Sequence, residues 1–195
     1  MHEAHPWVIA QIAPDFTLLD VWALPAEGGP DDFPALVDVL ASLDPAESSA
    51  ASRFLFAARR RLGDWFGWDD DAALPIPGAT ETTLRDRLPA ELRDSATGPG
   101  AGDGLRRAGA AFTPVYRTVD EWAAEIANDT VHGVLHVTWV EQGNGRYRGR
   151  LAVYVKPRGR HGEIYLKLIS PFRHLVVYPA LTRQIGRAWS QRLPQ

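Results

Sequence analysis

Apolar residues along the chain switch between two rhythms, and the switch divides the sequence into elements. Asp15 to Leu24 (DFTLLDVWAL) alternates and predicts a strand. Phe16, Leu18 and Trp22 share its face, Asp20 interrupts that face, and Pro25 with Gly28-Gly29-Pro30 should end it. The period then becomes helical. Phe33, Leu36, Val37, Leu40 and Leu43 form a stripe opened by Asp31-Asp32 and stopped at Asp44-Pro45. A second helix is expected from about Glu47 to Phe66, with Phe54, Leu55, Ala58, Leu62, Trp65 and Phe66 inward. Thr83 to Leu88 reads as one short helical turn before Pro89. Asp94 to Gly109 carries five glycines and almost nothing apolar, which predicts a mobile loop within a single domain spanning 1–195.

Beyond that loop the period becomes two. Phe112, Pro114 and Tyr116 alternate with polar residues. Glu121 to Ala127 (EWAAEIA) fits two templates: Thr118-x-x-Glu121 resembles a helix capping box, whereas Trp122, Ala124 and Ile126 alternate as in a strand. Thr130 to Val140 is rich in β-branched and aromatic residues and predicts a strand. Gly143-Asn144-Gly145 signals a hairpin. In Tyr147 to Val155, Tyr147, Leu151, Val153 and Val155 oppose Arg148, Arg150 and Lys156, which predicts a sheet with one buried and one wet face. A broken apolar stripe from Ile164 to Trp189, interrupted by Pro171 and Pro179, predicts a kinked C-terminal helix or two helices meeting near Ser170-Pro171. Strand, two helices, a run of antiparallel strands and a terminal helix together predict an α+β fold.

Composition narrows the chemistry. The 195 residues suit one domain with a sizeable core. No cysteine is present, which excludes a disulfide scaffold, a zinc ribbon and a thiol nucleophile. No apolar run reaches membrane-span length, and the N-terminus lacks the pattern of a signal peptide, so a cytoplasmic location is expected. Net charge is −3, yet residues 1–100 hold 7 basic and 17 acidic side chains, and the remainder 14 basic and 7 acidic. That asymmetry fits either an anionic partner on the basic C-terminal third or two halves that neutralise each other within one fold. Arg59-Arg60-Arg61 reads as a solvated helix face, so no nucleic-acid partner is expected.

The element order is similar to that of the helix-grip, or START-like, superfamily. More specifically, Gly162, Tyr165, Ile169, Pro171, Phe172 and His174, with Val155-Lys156-Pro157 before them and His132 upstream, resemble the family catalogued as domain of unknown function 2867. The resemblance implies a curved antiparallel sheet wrapped around a long C-terminal helix. It also favours the strand reading of residues 121–127. It implies no reaction.

The candidate site follows. His132 and His136, four apart on one strand, share a face. If Asn144-Gly145 is a two-residue turn, Leu151 pairs with Thr138 and Val153 with His136, and both histidines point inward; a one-residue shift turns them outward. Inward, they could contact a ligand or act as acid and base near neutral pH. The candidate ligand contacts are His132, His136, Trp139, Tyr154, Phe172, His174 and Tyr178, around a cavity between sheet and C-terminal helix. Gly133 and Gly149 suggest room for one. The leading expectation is a small, largely apolar or amphipathic ligand. The alternatives are histidine acid–base catalysis of the cyclase or dehydratase kind, and an anion-binding surface. No cofactor and no metal site is indicated.

Overall fold

The computed structural model describes residues 5–42, 83–93, 113–127, 131–158 and 178–192, together with Ser170, His174 and Leu175. The second predicted helix, the glycine-rich loop, the proposed kink and Phe172 lie outside the described residues. A short helix α1 (Val8–Ile12), for which the sequence pattern held no signal, precedes strand β1 (Thr17–Gly28). A 3-10 turn at Pro30–Asp32 leads into α2 (Phe33–Ser42), where Asp32 accepts the Gly29 N–H at 2.8 Å. The predicted stripe Phe33, Leu36, Val37 and Leu40 is buried. Four strands follow: β2 (Thr113–Arg117), β3 (Glu121–Ala127), β4 (Val131–Gly143) and β5 (Arg146–Pro157). Helix α3 (Tyr178–Gln191) starts with Pro179 in its first turn, where no intrahelical donor is missed.

The five strands form one antiparallel sheet in the order β1-β5-β4-β3-β2. Among the described residues it is an open sheet rather than a closed barrel, with β1 and β2 at the edges. β1 runs four residues beyond its expected end, through Pro25. An edge strand tolerates a proline because one row of its N–H groups has no ladder to serve. Residues 118–121 resolve the capping-box ambiguity. Thr118 Oγ1 does accept the Glu121 N–H at 2.9 Å, but as a turn between β2 and β3, closed by Thr118 N–H to Glu121 O at 2.8 Å.

Both faces of the sheet are covered, which corrects the expectation of a wet face. On one side Trp122, Ala124, Val137, Trp139 and Leu151 pack against α2 and against Ile185 and Trp189 of α3. On the other, Ala123, Val134, Ala152 and Tyr154 pack under Trp7, Ile9, Ile12, Leu84 and Leu88. Alternation along β4 and β5 assigns odd numbers to the first face and even numbers to the second. Val155 is buried and Val153 half-buried.

Two bulges decide which residues share a face. Asn144 and Gly145, at φ 54° and 70°, form the expected two-residue turn, and Gly143 pairs with Arg146. The register slips at Gln142, so His136 faces Ala152 and Val137 faces Leu151. The expected pairs, Leu151 with Thr138 and Val153 with His136, do not form. A second bulge at Leu19 leaves Leu18 with the second core and turns Asp20, Trp22 and Leu24 toward α3. Phe16, Leu18 and Trp22 therefore do not share a face.

Candidate functional site

The predicted site residues separate into two groups on opposite sides of the sheet, not around one cavity. His132, His136 and Tyr154 lie on the second face, under the N-terminal segment. Trp139, His174 and Tyr178 lie on the α3 side. The slipped register does turn the histidines away from α3. It does not expose them, because residues 5–16 and 83–93 cover that face: His132 is 4% and His136 0% accessible.

Each buried histidine meets a carboxylate from β3. His136 Nε2 lies 3.0 Å from Glu121 Oε2, and His132 Nε2 lies 2.8 Å from Glu125 Oε2. The spacing explains the pairing. Glu121 and Glu125 are four apart on β3, the histidines four apart on β4, and the register places each carboxylate diagonal to its imidazole. Glu121 Oε2 also accepts the Tyr116 hydroxyl at 2.8 Å, and both its oxygens accept the Val8 N–H, at 3.2 and 3.1 Å. Burial pushes the His136 pKa below its ordinary 6.5, with Glu121 opposing, so the imidazole is neutral at pH 7. Burial beside Glu121 pushes the Tyr116 pKa well up, which keeps its hydroxyl a donor. Trp7 meets the His136 ring edge-on at 5.8 Å, and Phe16 meets His132 at 4.8 Å.

The other group gathers where α3 begins. The Tyr178 hydroxyl donates to Asp20 Oδ2 at 2.8 Å, and His174 Nε2 lies 3.2 Å from Asp20 Oδ1. Asp20 is buried, whereas the His174 side chain is 43% exposed. Trp22 lies against both rings, at 4.9 Å from Tyr178 and 5.9 Å from His174. A shallow, open groove runs beside them between β1 and α3, bordered by Trp22, Pro25, Arg148, Thr182, Arg183 and Arg187. Helix and strand approach closely at its edge, where a Cβ on Gly186 would meet Pro25 Cγ at 3.0 Å.

Trp139 is a packing residue in this arrangement. Its indole N–H donates to Gly29 O at 2.8 Å, and its ring lies 5.8 Å from Trp189. Trp189 in turn donates to Glu27 O at 3.2 Å. Gly149 leaves no hollow. A Cβ there would stand 2.7 Å from Leu36 Cδ2 and 3.3 Å from Leu24 Cδ1, so its missing side chain makes room for α2. A Cβ on Gly133 would make ordinary contact with Ile126, at 3.5 Å.

Asp20, Glu121, Glu125 and Tyr116 are the polar participants that sequence reasoning missed. Glu121 and Glu125 carried a usable signal: two acids four apart in an otherwise apolar strand must share a face and need partners if that face is covered. Asp20 carried one as well, as an acid inside an apolar face. Among the described residues no group of three or more potential ligands could hold a metal ion. No helix among them is long and apolar enough to cross a membrane. Among the described residues, acids of the first half meet bases of the second. Glu27 pairs with Arg146 at 2.8 Å and Arg148 at 3.6 Å, Asp15 with Lys156 at 3.1 Å, and Asp32 with Arg192 at 3.3 Å.

No curated protein and no solved structure matches the chain. A family model described as "Protein of unknown function (DUF2867)" matches residues 12–180. That span takes in the five-stranded sheet, the carboxylate–histidine pairs and the start of α3, and on it the chain belongs to the DUF2867 family.

Proposed function

We propose that this protein binds a small amphipathic molecule bearing an acidic group, in the groove between β1 and α3 of a helix-grip arrangement. One observation carries the reading. His174 stands half-exposed at the start of α3 and is held from behind by a buried carboxylate, Asp20, that also holds the Tyr178 hydroxyl. A buried acid orienting an accessible imidazole makes a directional polar contact that surface packing does not require. Trp22 offers an apolar wall beside it, and Arg183 and Arg187 are exposed along the same groove. An aromatic or aliphatic acid matches these elements, with its body on Trp22 and its anion toward the arginines. The ligand belongs in the groove because Trp139, Trp189, Ile185 and Leu36 already occupy the space between sheet and helix.

Fluorescence titration with 1-anilinonaphthalene-8-sulfonate, an aromatic anion, tests this at neutral pH. Saturable binding is expected, weakened about tenfold by Trp22→Ala, the loss of roughly 1.4 kcal/mol of contact. Absence of saturable binding, or an unchanged affinity in the variant, overturns the reading. Native mass spectrometry of protein from its own cells gives the identity of a retained ligand. Asp20 behind His174 also favours a second reading, in which the imidazole transfers a proton to or from the bound molecule. His174→Gln separates the two: an enzyme loses turnover of the retained ligand while still binding it, and a binder changes only in affinity.

A further inference from the structure

We propose that residues 5–16 form a strap over the second face of the sheet, and that uptake of a proton by His136 releases its N-terminal end. The strap is latched at two places. Near its start, Glu121 accepts the Val8 N–H with both carboxylate oxygens. Near its end, Asp15 pairs with Arg87 at 2.7 Å and with Lys156 at 3.1 Å, and Arg87 also donates to Ile12 O at 3.1 Å. Along the strap, Trp7, Ile9 and Ile12 are buried against the sheet.

The latches differ in what acid does to them. Glu121 Oε2 already receives three donors: His136 Nε2, the Tyr116 hydroxyl and the Val8 N–H. The imidazole beside it is fully buried, at 0%. Desolvation holds it neutral while the strap is down, against the pull of Glu121 and Asp120. An open strap restores water to the ring and with it the ordinary imidazole affinity for a proton. Proton uptake below pH 6.5 therefore favours the open form. The Asp15 latch does not titrate in that range. Arg87 and Lys156 hold the Asp15 pKa at about 2, against the burial that opposes them. One end lets go while the other stays, so the strap hinges near Asp15.

The remaining titratable groups around the strap are His5, stacked on Trp7 at 3.7 Å; Glu125 with His132; and Tyr116 and Tyr154 on the sheet. Tyr116 keeps its proton throughout, as its raised pKa requires. Opening would uncover the Glu121–His136 pair and the apolar side chains around it, a polar site closed at neutral pH and separate from the groove beside α3, while Phe16 beyond the hinge stays on His132.

Hydrogen exchange read by mass spectrometry on the full chain at pH 7.5, 6.5 and 5.5 tests the switch, after correction for intrinsic exchange rates. Amides of residues 8–13 should exchange up to about tenfold faster per pH unit below about 6.5, the limit for uptake of one proton. Amides of β4 should stay protected. His136→Gln keeps a donor for Glu121 and cannot take the proton, so its strap should stay closed at all three values. His132→Gln and His5→Gln should keep the wild-type response. Proton NMR of the wild-type imidazoles covers the case in which His136→Gln does not fold: the His136 titration midpoint should lie below about 6.5, where the rise in exchange levels off. Equal strap protection at pH 7.5 and 5.5, a pH response that survives in folded His136→Gln, a His136 midpoint at or above about 6.5, or loss of β4 protection together with the strap would each overturn the proposal.

Discussion

Glu121 shows how much one side chain organises here. It stands where the sheet's second face meets the N-terminal segment, and its carboxylate collects an imidazole, a phenol and a backbone amide. Removing it strands all three donors in a buried site, and an unpaired buried polar group costs about 1–3 kcal/mol. Glu121→Ala should lower unfolding free energy by about 3 kcal/mol or more in urea titration, whereas Glu121→Gln, which keeps an acceptor, should lose less. A loss below about 1 kcal/mol in Glu121→Ala would mean the network is not holding the strap. Gly149 is the opposite case, a residue whose role is absence. With Leu36 Cδ2 2.7 Å from the Cβ position, Gly149→Ala should destabilise by about 1–3 kcal/mol through overpacking. Neutral behaviour there would reveal a hollow that the packing does not show.

At the scale of elements, the covered second face depends on the short helix α1. Five residues cannot be stable as a helix alone, so tertiary burial of Ile9 and Ile12 must hold it. Ile9→Ala should cost about 2–5 kcal/mol, measured by chemical denaturation, because the residue is fully buried and its neighbours on the sheet cannot follow it inward. The β4–β5 hairpin answers to a different constraint. Asn144 and Gly145 both have positive φ, a region that costs a side chain about 1–2 kcal/mol. Gly145→Ala should lower thermal stability by that amount without altering the β4 register, since the bulge at Gln142 lies on the strand side of the turn. A shifted register, visible in amide exchange of His136 and Val137, would contradict this.

At the scale of the molecule, the described acids of the first half meet bases of the second, and His136 and Asp15 tie stability to pH. His136 has a depressed pKa in the fold, so the neutral form is the one the fold prefers. Its contribution is fully present above the unfolded value of about 6.5 and is lost as pH falls below it, at no more than about 1.4 kcal/mol per pH unit for one proton. Asp15 works lower. Its contribution is present above its unfolded value near 3.8 and is lost as pH falls toward about 2, and its partial exposure and salt screening keep it small. Urea titrations at pH 8, 7, 6 and 5 should therefore show a plateau followed by a decline beginning near 6.5. A stability that rose between pH 7 and 5 would assign the opposite sign to His136.

The sequence by itself determined the elements whose period is strong and local. β4 and β5, the two-residue turn, the stripe of α2 and the α+β class are legible from alternation, glycine placement and order, whereas β3 fits helix and strand alike and is tilted to strand only by the family resemblance. The family likeness is legible from Gly162 to His174. Tertiary structure alone decided which way the site residues point. One extra residue at Gln142 and one at Leu19 rotate whole sets of side chains between faces, and a bulge leaves no mark in hydrophobic periodicity. The same holds for α1, too short to show a period, and for the cover it places over His132 and His136. A pairing such as Glu121 with His136 spans fifteen residues of chain. It exists because the β3–β4 register brings the two side chains together on a face that a third segment then seals from water.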